Sequence, residues 1–195
     1  MAQVHEHCRC GEGFDFAQPD EPAAAACLVS RNETLEQVHA ALRQANATVS
    51  VAESLTGGLL GSWLSAVPGA SATFHGGVIA YTHAVKHQVL GVDEQVLRTH
   101  GAVNAQVAAQ MACGVRRLLG TTYGVALTGV AGPHPSDGQA AGTVFLAVVG
   151  PEPGTVNGLR LALEGTRNQV RFQAAAHAAQ LLRRCLTEVP PPPRR

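Results

Sequence analysis

The sequence has no surplus of charge of either sign. Fourteen Lys and Arg stand against fourteen Asp and Glu in 195 residues, a formal net charge of zero. A chain without a basic surplus has little with which to displace counterions from a phosphate backbone, so a general nucleic-acid binder is disfavoured. Aromatic residues are scarce, with five Phe, two Tyr and one Trp, too few for a base-stacking surface. No apolar run approaches the roughly 18 residues of a membrane span. The short apolar stretch Ala23–Val29 follows Glu6, Glu12, Asp15, Asp20 and Glu21 against Arg9, the reverse of a secretory leader. The five cysteines, Cys8, Cys10, Cys27, Cys113 and Cys185, are odd in number and unevenly spread. They make no disulfide framework and point to a reduced, cytoplasmic compartment.

What is present suits one sizeable core. Apolar residues make up 46% and charged ones 14%, which excludes wholesale disorder and fits one domain with tails. Residues 1–30 mix Gly, Pro, Glu and Gln without periodicity and read as a disordered tail. Pro190–Pro193 with Arg194 and Arg195 ends the chain in a segment that cannot continue a helix. The domain is expected over 31–188, with a Pro/Arg tail over 189–195.

Between the tails, strand and helix patterns alternate. Leu35, Val38 and Leu42 fall at helical spacing after a possible Ser30/Glu33 capping box. Thr48–Ala52 reads as a short strand, Leu59–Val67 as a helix stopped by Pro68-Gly69, and Gly77–Tyr81 as a second strand. Thr82 is placed to cap a helix holding Val85, Lys86 and Val89. Val107, Met111, Val115 and Leu119 define a helix between Asn104 and Gly120. Tyr123–Leu127, Thr143–Val149 and Val156–Leu163 read as strands, the last returning antiparallel after a Gly/Pro turn. Thr166 with Gln169 opens a long final helix. This order implies a layered α/β domain with a mixed sheet.

In open α/β sheets, ligands gather at the carboxyl ends of strands. Three segments answer that description. Glu53-Ser54-Leu55-Thr56-Gly57-Gly58 lies at a strand-to-helix turn, where exposed N–H groups can hold an anion or an oxyanion beside Ser54. From the local sequence alone, a plain turn with Ser54 or Thr56 as an N-cap is the favoured reading; Ala52 and Thr56 at the flanking positions exclude a Gly-x-Ser-x-Gly elbow. Tyr81 to Lys86 offers a strand-end phenol and an amine that partial burial would strip of proton affinity, leaving it neutral and able to accept a serine proton, or else a solvated lysine and a capping tyrosine. Thr128-Gly129-Val130-Ala131-Gly132-Pro133 offers amides for a phosphate or a carboxamide, or is a bare Gly/Pro loop; it lacks the Lys-Ser/Thr of a Walker loop.

Other residues carry less. His5, His7, Cys8 and Cys10 fall short of a closed metal site. His177 reads as a packed core histidine, Cys113 and Cys185 as small core residues, and Trp63 as core or interface. His75 and His100 flank glycines and are rim candidates without an evident acid partner.

Taken in order, AESLTGGLLGSWLSAVPGASATFHGGVIAYTHAVKHQVLGV, HGAVN, ALTGVAGP, GTVFLAVVG and EGTRNQVRFQAAAHA resemble the CinA C-terminal domain family, over about residues 34–187. Its stand-alone members resemble nicotinamide-nucleotide amidases. The resemblance implies a three-layer α/β/α fold with a mixed, mostly parallel five-stranded sheet. It implies hydrolysis of nicotinamide mononucleotide to nicotinate mononucleotide and ammonia, with no cofactor and no metal. By match to the family motifs, Ser54, Lys86 and Tyr81 would be catalytic. Thr56, Gly57, Gly58, Thr128, Gly129, Gly132 and Arg167 would bind substrate, Arg167 through a phosphate. A small nucleotide would be the partner, without nucleic acid or membrane, in a homodimer.

Two departures accompany the resemblance. Family members often carry a lysine in the loop after Ala-Gly-Pro; here the loop is His134-Pro135-Ser136-Asp137-Gly138-Gln139-Ala140-Ala141-Gly142, with Gln139 near that place. The likeness also does not extend to the molybdopterin-binding-like N-terminal domain of two-domain relatives, and no activity carried there is expected of these residues.

Overall fold

The computed structural model describes residues 31–188. The metal-ligand candidates His5, His7, Cys8 and Cys10, the Ser30 cap and both tails lie outside them. The chain runs α1 (Arg31–Gln44), β1 (Val49–Glu53), α2 (Leu59–Ser65), a 3-10 turn (Ala70–Ala72), β2 (Phe74–Ile79) and α3 (His83–Leu90). It continues through α4 (Glu94–His100), α5 (Ala105–Leu119), β3 (Tyr123–Gly129), β4 (Thr143–Val149), β5 (Val156–Ala162) and α6 (Arg167–Glu188).

Five strands form one sheet in the order β2-β1-β3-β4-β5. β1 pairs in parallel with both β2 and β3, whereas β3–β4 and β4–β5 pair antiparallel. Four strands therefore share one direction and β4 alone reverses. The expected mixed sheet is present, although its pairings divide evenly between parallel and antiparallel.

Alternation along the strands splits the interior in two. Val49 and Val51 of β1, Val125 and Leu127 of β3, and Val144, Leu146 and Val148 of β4 face α1, α2 and α6. Ala52, Ala126, Phe145, Ala147 and Val149 face α3, α4 and α5. Every residue of β4 is buried, which is why Thr143–Val149 is a continuous apolar run without alternation. Small residues sit where α5 approaches closely: a Cβ on Gly114 would overlap the carbonyl of Leu90 at the end of α3.

The caps expected from sequence form. Thr82 accepts from the N–H of Val85 at 3.3 Å and Asn104 from that of Val107 at 2.9 Å. Thr166 and Gln169 bond reciprocally, at 2.8 and 3.4 Å, a closed capping box. Sequence periodicity does not reveal α4. It has seven residues and buries one apolar side chain, Leu97; it is held by Asp93, whose carboxylate accepts from Gln95 and Val96. β2 starts three residues earlier than expected and ends before Ala80 and Tyr81, because Phe74 lies beside Val49 in the β1 register.

His177, Cys113 and Cys185 are buried as expected, and burial holds the His177 imidazole below its usual pKa. Trp63 is core; its ring lies 5.8 Å from Phe172 and beneath the Arg31 guanidinium. His75 corrects an expectation. It stands at the start of β2, where Nδ1 lies 3.4 Å from the carbonyl oxygen of Leu119, at the opposite end of the sheet from the carboxyl ends of β1, β2 and β3. No helix among the described residues is long and apolar enough to cross a membrane.

Candidate active site

The carboxyl ends of three parallel strands meet at one edge: β1 at Glu53, β2 at Ile79 and β3 at Leu127–Gly129. Glu53 and Ser54, adjacent in sequence, turn to different tasks there. The buried Glu53 carboxylate accepts from the N–H groups of Gly58 (3.0 Å), Leu60 (3.1 Å) and Gly61 (2.7 Å). It thus satisfies the start of α2, whose N-cap Gly58 has φ 95° and no side chain to offer. Neither Ser54 nor Thr56 caps this helix, so the plain-turn reading of Ser54 does not hold.

Ser54 Oγ instead lies 3.0 Å from Lys86 Nζ. The Lys86 side chain reaches in from α3 and is 1% exposed. Its amine also donates to the carbonyls of Ala80 at 2.7 Å and Tyr81 at 3.4 Å. Burial lowers its pKa from the usual 10.5 to about 8, with the charge of Asp137 pulling the other way. A neutral lysine has two N–H bonds and one lone pair. Two carbonyls for the N–H bonds leave the lone pair for the serine hydroxyl, so the solvated-lysine reading fails too.

Tyr81 does not stand between these two groups. Its ring is 58% exposed and its hydroxyl accepts from Arg167 Nη2 at 2.9 Å. Only its main-chain carbonyl approaches Lys86. Arg167 donates in addition to the carbonyl of Gly132 at 2.8 Å, tying the phenol to the loop after β3. Thr128 is fully buried and gives its hydroxyl to the Ala102 carbonyl at 2.7 Å, so it positions the 101–103 segment. Gly129 completes the β3 ladder opposite Val144, and a Cβ there would crowd the Thr143 carbonyl.

The amides of the turn after β1 are only partly available. Gly58 N–H is taken by Glu53, and Gly57 N–H returns to the Ser54 carbonyl at 3.1 Å. Among the described residues, the N–H groups of Leu55 and Thr56 have no acceptor. Thr56 Oγ1 is likewise buried without a partner.

Two residues of this region escaped the motif reading. Asp137 and Gly138 have φ of 50° and 70° and form the tip of a two-residue hairpin closed by Ser136 and Gln139, the turn that Asp-Gly favours. The Asp137 carboxylate accepts from Ala102 N–H at 2.9 Å and lies 3.6 Å from His83 Nε2. The Asp-Gly pair was the signal that could have located it. Arg171, one helical turn after Arg167, donates Nε to the Leu55 carbonyl at 3.1 Å and Nη2 to the Thr56 carbonyl at 2.9 Å. No local signal marks that contact, which spans more than a hundred residues of chain. Among the described residues no group of three or more His, Cys, Asp and Glu is gathered as a metal would require.

Comparison with known proteins agrees with this architecture. Residues 31–186 match the model of the CinA C-terminal domain. A CinA-like protein of Frankia casuarinae is 48% identical over 149 residues, covering 76% of this chain and 34% of that protein. A CinA-like protein of Myxococcus xanthus is 40% identical over 196 residues, covering 99% of this chain and 44% of its own. The chain spans less than half the length of these curated relatives. Solved structures match over nearly their whole length. A competence-damaged protein (CinA) superfamily protein of Klebsiella pneumoniae superposes with a TM-score of 0.78 at 30% identity, over 82% of this chain and 99% of that one. The competence/damage inducible protein CihA of Agrobacterium tumefaciens does so with 0.76 at 32%, over 80% and 95%. The chain belongs to the CinA C-terminal domain family.

Proposed function

We propose that this domain is a serine–lysine amidohydrolase that converts nicotinamide mononucleotide to nicotinate mononucleotide and ammonia. The observation that carries the reading is the buried Lys86 amine 3.0 Å from Ser54 Oγ, with its pKa lowered to about 8. A carboxamide needs a nucleophile, a base, a place for the oxyanion and a proton for the departing nitrogen. Ser54 Oγ attacks the carboxamide carbon as its proton passes to Lys86. The oxyanion is met by the unspent N–H groups of the turn. The Lys86 ammonium then protonates the nitrogen and ammonia leaves. Water, deprotonated by Lys86, attacks the ester carbonyl; the acid departs and Ser54 recovers its proton. No step calls for a metal or cofactor.

The nucleotide part of the reading rests on Arg167 at the mouth, which retains donors beyond those given to Gly132 and Tyr81 and suits a phosphate. A second reading, an amidase for another small carboxamide, is favoured by the loop 134–142. It holds no lysine or arginine, and the charge of its Asp137 acts on the Lys86 amine. We place the protein in the cytoplasm, acting as a homodimer.

The test is ammonia release from nicotinamide mononucleotide and from a panel of other carboxamides. We expect turnover of the mononucleotide, falling by about 1,000-fold or more in folded Ser54→Ala and Lys86→Ala. Turnover only of other amides selects the second reading. Tight binding of the mononucleotide with no hydrolysis of any amide makes the domain a nucleotide-binding module and sinks both.

A further inference from the structure

The geometry assigns Arg171 as a positioning residue for the oxyanion site, a role that rests on Ser54 being the nucleophile as read above. Ser54, Leu55, Thr56 and Gly57 form a turn closed by the bond from Gly57 N–H to the Ser54 carbonyl. In such a turn the N–H of the third residue looks back toward the side chain of the first, the relationship that Ser and Asp exploit in side-chain-closed turns. Here the third residue is Thr56. Its N–H has no acceptor among the described residues, and the residue is fully buried. A buried N–H without a partner is costly and is what a developing oxyanion needs.

Arg171 sets the direction of that N–H. In a planar trans peptide the C=O and N–H point to opposite sides. Arg171 Nε takes the Leu55 carbonyl and Nη2 the Thr56 carbonyl. Both carbonyls are thus drawn toward α6, and the Thr56 N–H is turned to the other side of the turn. The planar fork is itself steadied by Nη1 on Asn168 Oδ1 at 3.2 Å. A single ammonium cannot reproduce two parallel donors with this spacing. Without the fork, the Leu55–Thr56 peptide can rotate and lose its aim, while Ser54 and Lys86 keep their contact, since neither side chain is hydrogen-bonded to Arg171.

A fluorophosphonate probe tests this without reference to the natural substrate. Ser54 Oγ forms the P–O bond, fluoride leaves, the serine proton passes to Lys86, and the phosphonyl oxygen occupies the oxyanion position. We expect labelling of Ser54 in the wild type, read by mass spectrometry. In Arg171→Ala it is slowed about 100-fold, with the pH midpoint of labelling unchanged and with partial rescue by millimolar guanidinium. Arg171→Lys, the variant that keeps the charge, is also slowed. Labelling of folded Arg171→Ala or of Arg171→Lys at the wild-type rate overturns the assignment, as does failure of guanidinium to accelerate Arg171→Ala. An unlabelled Ser54 in the wild type overturns it together with the serine mechanism. Labelling without ammonia release from nicotinamide mononucleotide removes only the substrate proposed above, and the labelling rates then decide the role of Arg171.

Discussion

Arg167 Nη2 donates to the Tyr81 hydroxyl at 2.9 Å, joining the first turn of α6 to the link between β2 and α3. The phenol is therefore a wall of the site mouth, held in place by an arginine, and the Ser54–Lys86 contact is direct. In the proposed mechanism, proton transfer therefore needs no phenol relay. Tyr81→Phe is expected to keep kcat within about tenfold of wild type, against about 1,000-fold for Lys86→Ala. Steady-state ammonia release on both variants checks this. A loss in Tyr81→Phe equal to that in Lys86→Ala would restore the phenol to the proton path.

The acid limb of kcat/KM should fall near pH 8, where the Lys86 amine becomes free. The Asp137 charge opposes the effect of burial and raises the Lys86 pKa. Asp137→Asn removes that charge while keeping an oxygen for Ala102 N–H, so the limb should move to lower pH and activity at neutral pH should rise. A limb that stays in place or moves upward contradicts the electrostatic coupling.

The same amine makes stability depend on pH. Between about pH 8 and 10.5 the unfolded chain holds a proton on Lys86 that the native state has released, so stability rises with pH across that window. Below it both states are charged and the native state carries the cost of burying the ammonium, about 3 kcal/mol from the shift. Urea unfolding of wild type and Lys86→Met at pH 7 and pH 10 isolates the effect. The stability of wild type relative to the variant should increase by up to about 3 kcal/mol over that interval. A constant difference would mean that the amine is not desolvated in solution.

Glu53 anchors the turn that carries Ser54. Its carboxylate serves three main-chain N–H groups of α2, and Glu53→Ala leaves them without a partner in a buried place. A loss of about 3 kcal/mol is expected, with a smaller one for Glu53→Gln, which keeps one acceptor oxygen. Denaturant midpoints measure both. Equal stability of Glu53→Ala and wild type would show that water reaches those amides.

Much of this protein is local and so was written in the order of its residues. Apolar period, caps and glycine or proline stops define most elements because each rests on neighbours a few residues apart. Thr82, Asn104 and the Thr166/Gln169 box all act over three residues, and the segments around Ser54, Tyr81, Lys86 and Thr128 were legible as strand ends. Helix α4 was not, since seven residues with one buried side chain carry almost no periodic signal. What each polar group does was settled by partners far along the chain. Lys86 is a buried amine that meets Ser54 from 32 residues away. Thr128 is committed to Ala102 and Tyr81 to Arg167. Arg171 governs a turn 115 residues before it. Side-chain chemistry is a property of the residue, but desolvation and hydrogen-bond partners belong to the packed sheet and helices that bring those residues together.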